Sequence, residues 1–210
     1  MYHRCLFLFS FLVLLLTTAL ADAEMREAFD TLEAWNPRTL ASGLIMNEPF
    51  NPYETPLLSW RWRVENVLQK GDAARKAGDD YPLRIYVLFT YDPEKASFGM
   101  RAKVAVAKAL YGETPPHASL NYLWANRTHK KRILPSPYTD RSQLIVLRTG
   151  EAEAGQWVEE EVNILDDYRT AFDEDPPDEA RLAVMSDADN TGGSAVGFLD
   201  FIGIEKNHNE

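Results

Sequence analysis

Leu58, Trp60, Trp62 and Val64 alternate with Ser59, Arg61, Arg63 and Glu65, and no other stretch of the chain constrains its fold as tightly. A period of two is the side-chain repeat of a β-strand, so one face of this strand is apolar and the other polar. Two indoles on one face call for a second layer to hide them. Arg84 to Tyr91, rich in β-branched and aromatic residues, predicts a second strand. Runs at Leu120–Trp124, Gln143–Thr149, Gln156–Ile164, Ala180–Met185 and Val196–Ile204 also have strand length, with Pro, Gly or Asp clusters between them. Short strands without regular β-α alternation predict a mainly β fold: an antiparallel β-sandwich or jelly roll of galactose-binding-like architecture.

Helices are few. Asp92 and Pro93 resemble a cap and first-turn proline for one inserted amphipathic helix, with Phe98, Ala102, Ala105, Val106, Ala109 and Leu110 as its apolar stripe and Gly112 as its stop. Leu165, Tyr168 and Phe172 fit a short flanking helix, as do Met25, Phe29 and Leu32 before Pro37. The predicted organisation is a signal peptide over 1–21, a helix and proline-rich connector over 22–56, a sandwich over 57–206 and a polar tail over 207–210.

The leader assignment rests on Arg4, the apolar run from Leu6 to Leu16 and the small-x-small sequence Ala19-Leu20-Ala21. It predicts export, to a periplasm or the exterior. The apolar run is too short to span a membrane, and no second one follows, so no membrane span is expected in the mature chain. Cys5 is the one cysteine and lies in the leader, which leaves no disulfide, thiolate metal site or cysteine nucleophile. A hydrophobic content of 45% is too high for disorder. The net charge of -10 argues against a nucleic-acid partner, because such binding needs a basic surface. His129-Lys130-Lys131-Arg132 is a local exception beside turn-forming residues, and reads as a solvated loop. The Asn126-Arg127-Thr128 sequon would act only in a eukaryotic secretory pathway.

Two groups of residues are candidate sites. If Trp60, Trp62, Ile85, Val87, Phe89, Val158 and Val162 point inward, then Arg61, Arg63, Arg84, Tyr86, Trp157, Glu159, Glu161 and Asn163 point outward. A face carrying Arg61, Arg63, Arg84, Tyr86, Trp157, Glu159 and Asn163 suits a sugar: a ring stacks on the apolar side of a pyranose while Arg and Glu bond its hydroxyls. Cross-strand Arg–Glu pairs and a covering helix are the plainer account.

The second group is Asp187, Asp189, Thr191 and Gly192, which occupy the first, third, fifth and glycine positions of a D-x-D-x-x-G oxygen-ligand loop for a structural Ca2+. Phe198 stands where the bidentate glutamate belongs, and Asp200 is the acid that would reach back. The plainer account is a hairpin turn stabilised by Asp, Asn and Gly. The same segment imitates the D-x-D-x-T nucleophile motif of haloacid-dehalogenase phosphatases, but the parallel sheet that chemistry needs after the motif does not follow.

Glu159, Glu161, Asp166 and Asp167 are close enough in sequence to act as paired acids of a glycan or ester hydrolase. His3, His117, His129 and His208 lack ligand-spaced partners, and no serine sits in a nucleophile elbow.

Ser59-Trp60-Arg61-Trp62-Arg63-Val64, Gly78-Asp79-Asp80-Tyr81 and Tyr122-Leu123-Trp124-Ala125-Asn126 resemble the bacterial secreted family known as domain of unknown function 3047. Gly155-Gln156-Trp157-Val158, Asn163 to Tyr168 and Ser186-Asp187-Ala188-Asp189-Asn190-Thr191 follow in the same order. The similarity runs from about Ala41 to Ile204, with less strand-forming sequence before Ala41 than the family pattern has. The family has no established activity, so the resemblance implies fold and compartment and no catalytic residues. The expected function is non-catalytic binding of an envelope polysaccharide. The alternatives are the hydrolase and a structural or assembly partner in the envelope.

Overall fold

The computed structural model describes residues 23–27, 35–38, 42–94, 96–111 and 114–207. The predicted leader, with its export signal, and His208 lie outside the described residues. The fold is mainly β, with two sheets in a sandwich-like arrangement. The chain runs β1 (Ala23–Glu27), β2 (Trp35–Arg38), β3 (Ser42–Met46), β4 (Leu57–Val64), β5 (Arg84–Phe89), then α1 (Phe98–Tyr111). It continues through β6 (Ala118–Ala125), β7 (Ile133–Pro135), β8 (Ser142–Thr149), β9 (Val158–Asn163), α2 (Ile164–Phe172), β10 (Ala180–Ser186) and β11 (Gly197–Glu205).

The smaller sheet has the order β1-β11-β4-β9 and the larger the order β2-β3-β10-β5-β6-β8-β7. Pairing is antiparallel except between β6 and β8, which run parallel. That pair departs from the all-antiparallel expectation. It arises because the short strand β7 pairs with the outer edge of β8, so the chain comes back to β6 in the same direction.

The tryptophan alternation works as the period predicts. Trp60 and Trp62 on β4 are fully buried against Tyr122 and Trp124 of the facing sheet. Ring centroids lie 5.5 Å apart for Trp60–Tyr122 and 5.7 Å for Trp62–Trp124, in tilted and edge geometries that favour aromatic contact. Trp62 donates Nε1–H to Glu160 at 3.2 Å, and Trp124 donates to the Gly150 carbonyl at 2.9 Å. Glu160 points inward and meets Arg148 of the other sheet at 2.7 Å, an ion pair that joins the layers inside the sandwich. A charge held there needs such a partner, since burial without one is costly.

Four local expectations change. Met25 stands in β1, which pairs with β11, so residues 23–27 supply an edge strand where the apolar spacing predicted the start of a helix; Phe29 and Leu32 lie outside the described residues. Strand pairing outweighs a weak helical pattern here. With β2 and β3 in the larger sheet, the sandwich begins well before residue 57. Asp92 forms a local turn, accepting from the Glu94 amide at 2.8 Å, and it is Ser97 that receives the Met100 amide at the start of α1. The predicted stripe of that helix is not a core face, because Phe98 is 87% and Val106 60% exposed. By contrast α2 sits as expected: Asn163 caps it, and Ile164 and Tyr168 are buried.

Candidate functional site

One end of the sandwich gathers the functional candidates. Here β4 ends and β11 begins, paired through Val64 and Gly197, and Gly155 donates to the Val64 carbonyl at 2.8 Å. Here also β10 ends beside Arg84, its pairing partner at Met185. The loops after β4, β6, β8 and β10 therefore meet. Asn126 locks two of them together, accepting from the Leu68 amide and donating to the Asp80 carbonyl, both at 2.7 Å. Its side chain is committed to the fold, which is why the sequon holds an asparagine there. Gly71 makes room for it, since a Cβ at that position would stand 1.8 Å from Asn126 Nδ2.

The predicted ligand face divides into two. Arg61, Arg63, Trp157 and Glu159 do share the outer surface of the smaller sheet. Both guanidiniums lie 5.3 Å from the Trp157 ring centre, and Arg63 lies 4.7 Å from that of Phe198. Trp157 is 39% and Phe198 41% exposed, with their centroids 6.5 Å apart. Arg61 bonds Asp200 at 3.2 Å and reaches Glu159 at 3.7 Å, while Arg63 pairs with Glu65 at 2.6 Å. Aromatic surface, cations and carboxylates thus lie side by side on one accessible face. Phe198, which the loop spacing marks only as the residue in place of a bidentate glutamate, is an unforeseen member of this face.

Arg84 and Tyr86 belong elsewhere. They stand on the outer side of the larger sheet, which the segment from Asn66 to Pro82 covers with Ala73 and Tyr81 packed on Leu123 and Leu144. Arg84 is 5% exposed, wedged between the Tyr81 and Tyr86 rings and bonded to Asp79 and Asp187. It is a buried ion-pair residue, so its expected place on a solvent face is corrected. Asn163 is likewise structural: its Oδ1 accepts from the Leu165 and Asp166 amides at 3.0 and 3.2 Å.

The proposed metal ligands are also redistributed. Asp187 and Asp189 come together with Asp80, their carboxylate oxygens within 4.8 Å of one another. Asp200 is the bulged residue of β11 and turns to Arg61 instead. Asp80 is fully buried and accepts from the Asn190 amide and side chain and the Thr191 amide. Burial alone would raise its carboxyl, yet these donors prevail and hold it below the ordinary value. Asp187 is pushed up to about 6, by burial first and by Asp80 and Asp79 next, against the opposing pull of Arg84 and the Tyr81 amide.

Beside this cluster opens a cleft of about 320 Å³ between Asn66–Lys70, Glu151 and the Thr191–Ser194 turn. The carboxylates from Glu159 to Asp167, by comparison, are scattered. Glu159 and Glu161 face solvent, Glu160 lies between the sheets, and Asp167 is buried beside Arg132. Burial raises the Asp167 carboxyl, with Arg132 and the Tyr122 hydroxyl pulling the other way. None of them lines the cleft between Asn66–Lys70, Glu151 and the Thr191–Ser194 turn. No helix among the described residues is long and apolar enough to cross a membrane.

No curated protein matches the chain. The ordered motifs and the two-sheet fold agree instead with a match over residues 23–202, most of the chain, to the family described as protein of unknown function (DUF3047), and the chain belongs to that family.

Proposed function

We propose that this is an exported, non-catalytic module that binds a polysaccharide of the bacterial envelope on the outer face of its smaller sheet. The observation that carries the reading is the pair of exposed rings, Trp157 and Phe198, set among Arg61, Arg63, Glu159 and Asp200. A pyranose offers apolar C–H surface to a ring and hydroxyls to its neighbours, and this face supplies both kinds of partner at adjacent positions. Its polar groups already pair with each other, so a sugar would exchange one set of hydrogen bonds for another and gain mainly from stacking. Affinity should accordingly be modest and depend on the rings.

Pull-down of the purified protein on peptidoglycan, lipopolysaccharide and capsular polysaccharide, together with a glycan array, is the direct test. Binding to one class that disappears in Trp157→Ala supports the reading; an absence of binding to every class removes it. The exposed Phe98 and Val106 of α1 favour a second reading, a structural or assembly partner in the envelope that docks a protein there. A protein complex that survives competition by sugar and is lost in Phe98→Ser would favour that one.

A further inference from the structure

The acids at the loop end form a second group, apart from Arg61, Arg63 and Trp157. Asp79, Asp80, Asp187 and Asp189 bring four carboxylates together, and Arg84 is the cation that meets Asp79 and Asp187. No histidine or cysteine joins the group of three whose oxygens converge. The donor set is therefore all oxygen, which selects a hard cation over zinc or copper. Ligand oxygens within 4.8 Å of one another can share a calcium ion, whose bonds of about 2.3–2.6 Å let opposed oxygens stand about 5 Å apart. Magnesium holds its ligands at about 2.0–2.1 Å and fits such a spread less well.

An independent feature points to a ligand. Thr191 is 9% exposed, and its buried Oγ1 lies beside the Asp80 carboxylate without a well-formed hydrogen bond. A buried hydroxyl left in that state is costly. The hydroxyl stands on the Asp80 side of the loop, where it favours the ionised carboxylate, and the Thr191 amide bonds the same group. It is a neutral oxygen turned toward the acids. Gly192, at φ 66, lets the chain turn back directly after it.

We propose that Asp80, Asp187, Asp189 and the Thr191 hydroxyl form a calcium site that fastens the loop after β10 to the segment before β5. The remaining coordination positions would fall to water, as the exposure of Asp189 permits. Asp80 and Thr191 are central, Asp189 closes the solvent side, and Asp200 takes no part.

The test is calcium titration of the chelator-treated protein, followed by thermal denaturation and isothermal calorimetry. At a calcium concentration 100-fold above Kd, the melting temperature should rise by about 5–10 °C. Magnesium at the same concentration should give a smaller rise. Asp189→Asn, a surface change that leaves the apo fold intact, should abolish the calcium response, Thr191→Val should weaken binding at least several-fold, and Asp200→Asn should leave it unchanged. The proposal is overturned by the absence of both heat and thermal shift in the native protein up to about 10 mM calcium, beyond the range of extracellular calcium modules. It is equally overturned by a response that persists undiminished in Asp189→Asn, and the choice of calcium by an equal response to magnesium. Because the readout is stability, failure here leaves the sugar face standing, and failure there leaves this site standing.

Discussion

The outer faces of the two sheets begin from the same sequence pattern and end in opposite conditions. Arg63 on β4 and Arg84 on β5 each alternate with buried apolar neighbours, yet the side chain of Arg63 is 31% exposed and that of Arg84 only 6%. On the smaller sheet nothing comparable to the Asn66–Pro82 segment, among the described residues, lies over Arg61, Arg63 and Trp157. On the larger sheet that segment brings Tyr81 and Asp79 down over Arg84, and Asp187 joins them from the loop after β10. Alternation therefore tells which side of a sheet a residue takes, and a distant loop decides whether that side is wet. A face that stays wet is available for a ligand; one that is covered has become a second small core.

Substitution of the two arginines should expose this difference most strongly. Arg84→Ala leaves Asp79 and Asp187 buried without their cation and should cost about 3–5 kcal/mol in urea denaturation. Arg63→Ala, against half-exposed Glu65, should cost less than about 1 kcal/mol. Equal losses would break the comparison. Next in size, Gly71→Ala would drive a methyl into Asn126 and sacrifice its two loop-locking bonds, for a loss of about 2–4 kcal/mol by the same measurement.

Trp157→Ala and Asn163→Ala sharpen the contrast between binding and support. The first should change stability by less than about 1 kcal/mol while reducing polysaccharide binding at least roughly tenfold. The second removes a helix cap and should cost about 1 kcal/mol with binding unchanged. The smallest effect concerns pH. The Asp167 carboxyl lies above its ordinary 3.8 in the folded protein, so the folded state holds the proton longer than the unfolded chain. Its contribution is complete below 3.8 and is lost as pH rises through the raised value. Asp167→Asn should thus gain on the native protein as pH increases across that window, and parallel stability profiles for the two would contradict it.

Much of the frame is legible in the order of residues, because strand periodicity is a local property. Trp60, Trp62, Ile85, Val87, Phe89 and Val162 are buried as alternation requires and Val158 is partly buried, and α2 lies where Leu165, Tyr168 and Phe172 put it. What escapes is set by partners far away. Met25 becomes a strand because β11 offers an edge, and Asp92 forms its own turn before Ser97 can cap the helix. At the loop end, Asp80 joins Asp187 and Asp189 across more than a hundred positions, with only a tandem acid after a glycine to mark it. Asp200 turns the other way because the bulge in β11 adds a residue there. Such placements follow from topology.

The position of β11 sets a timing for assembly. This late strand is inserted between β1 and β4, so the inner layer that shelters Trp60 and Trp62 stays open along one side until Gly197–Glu205 has been synthesised and docked. Contacts spanning nearly the whole polypeptide form slowly, and a chain awaiting them presents indoles and an unpaired edge to its surroundings. A protein wired in this way matures only as a complete molecule, and a ribosome-bound or partly threaded copy would depend on chaperones to keep those rings from finding other partners.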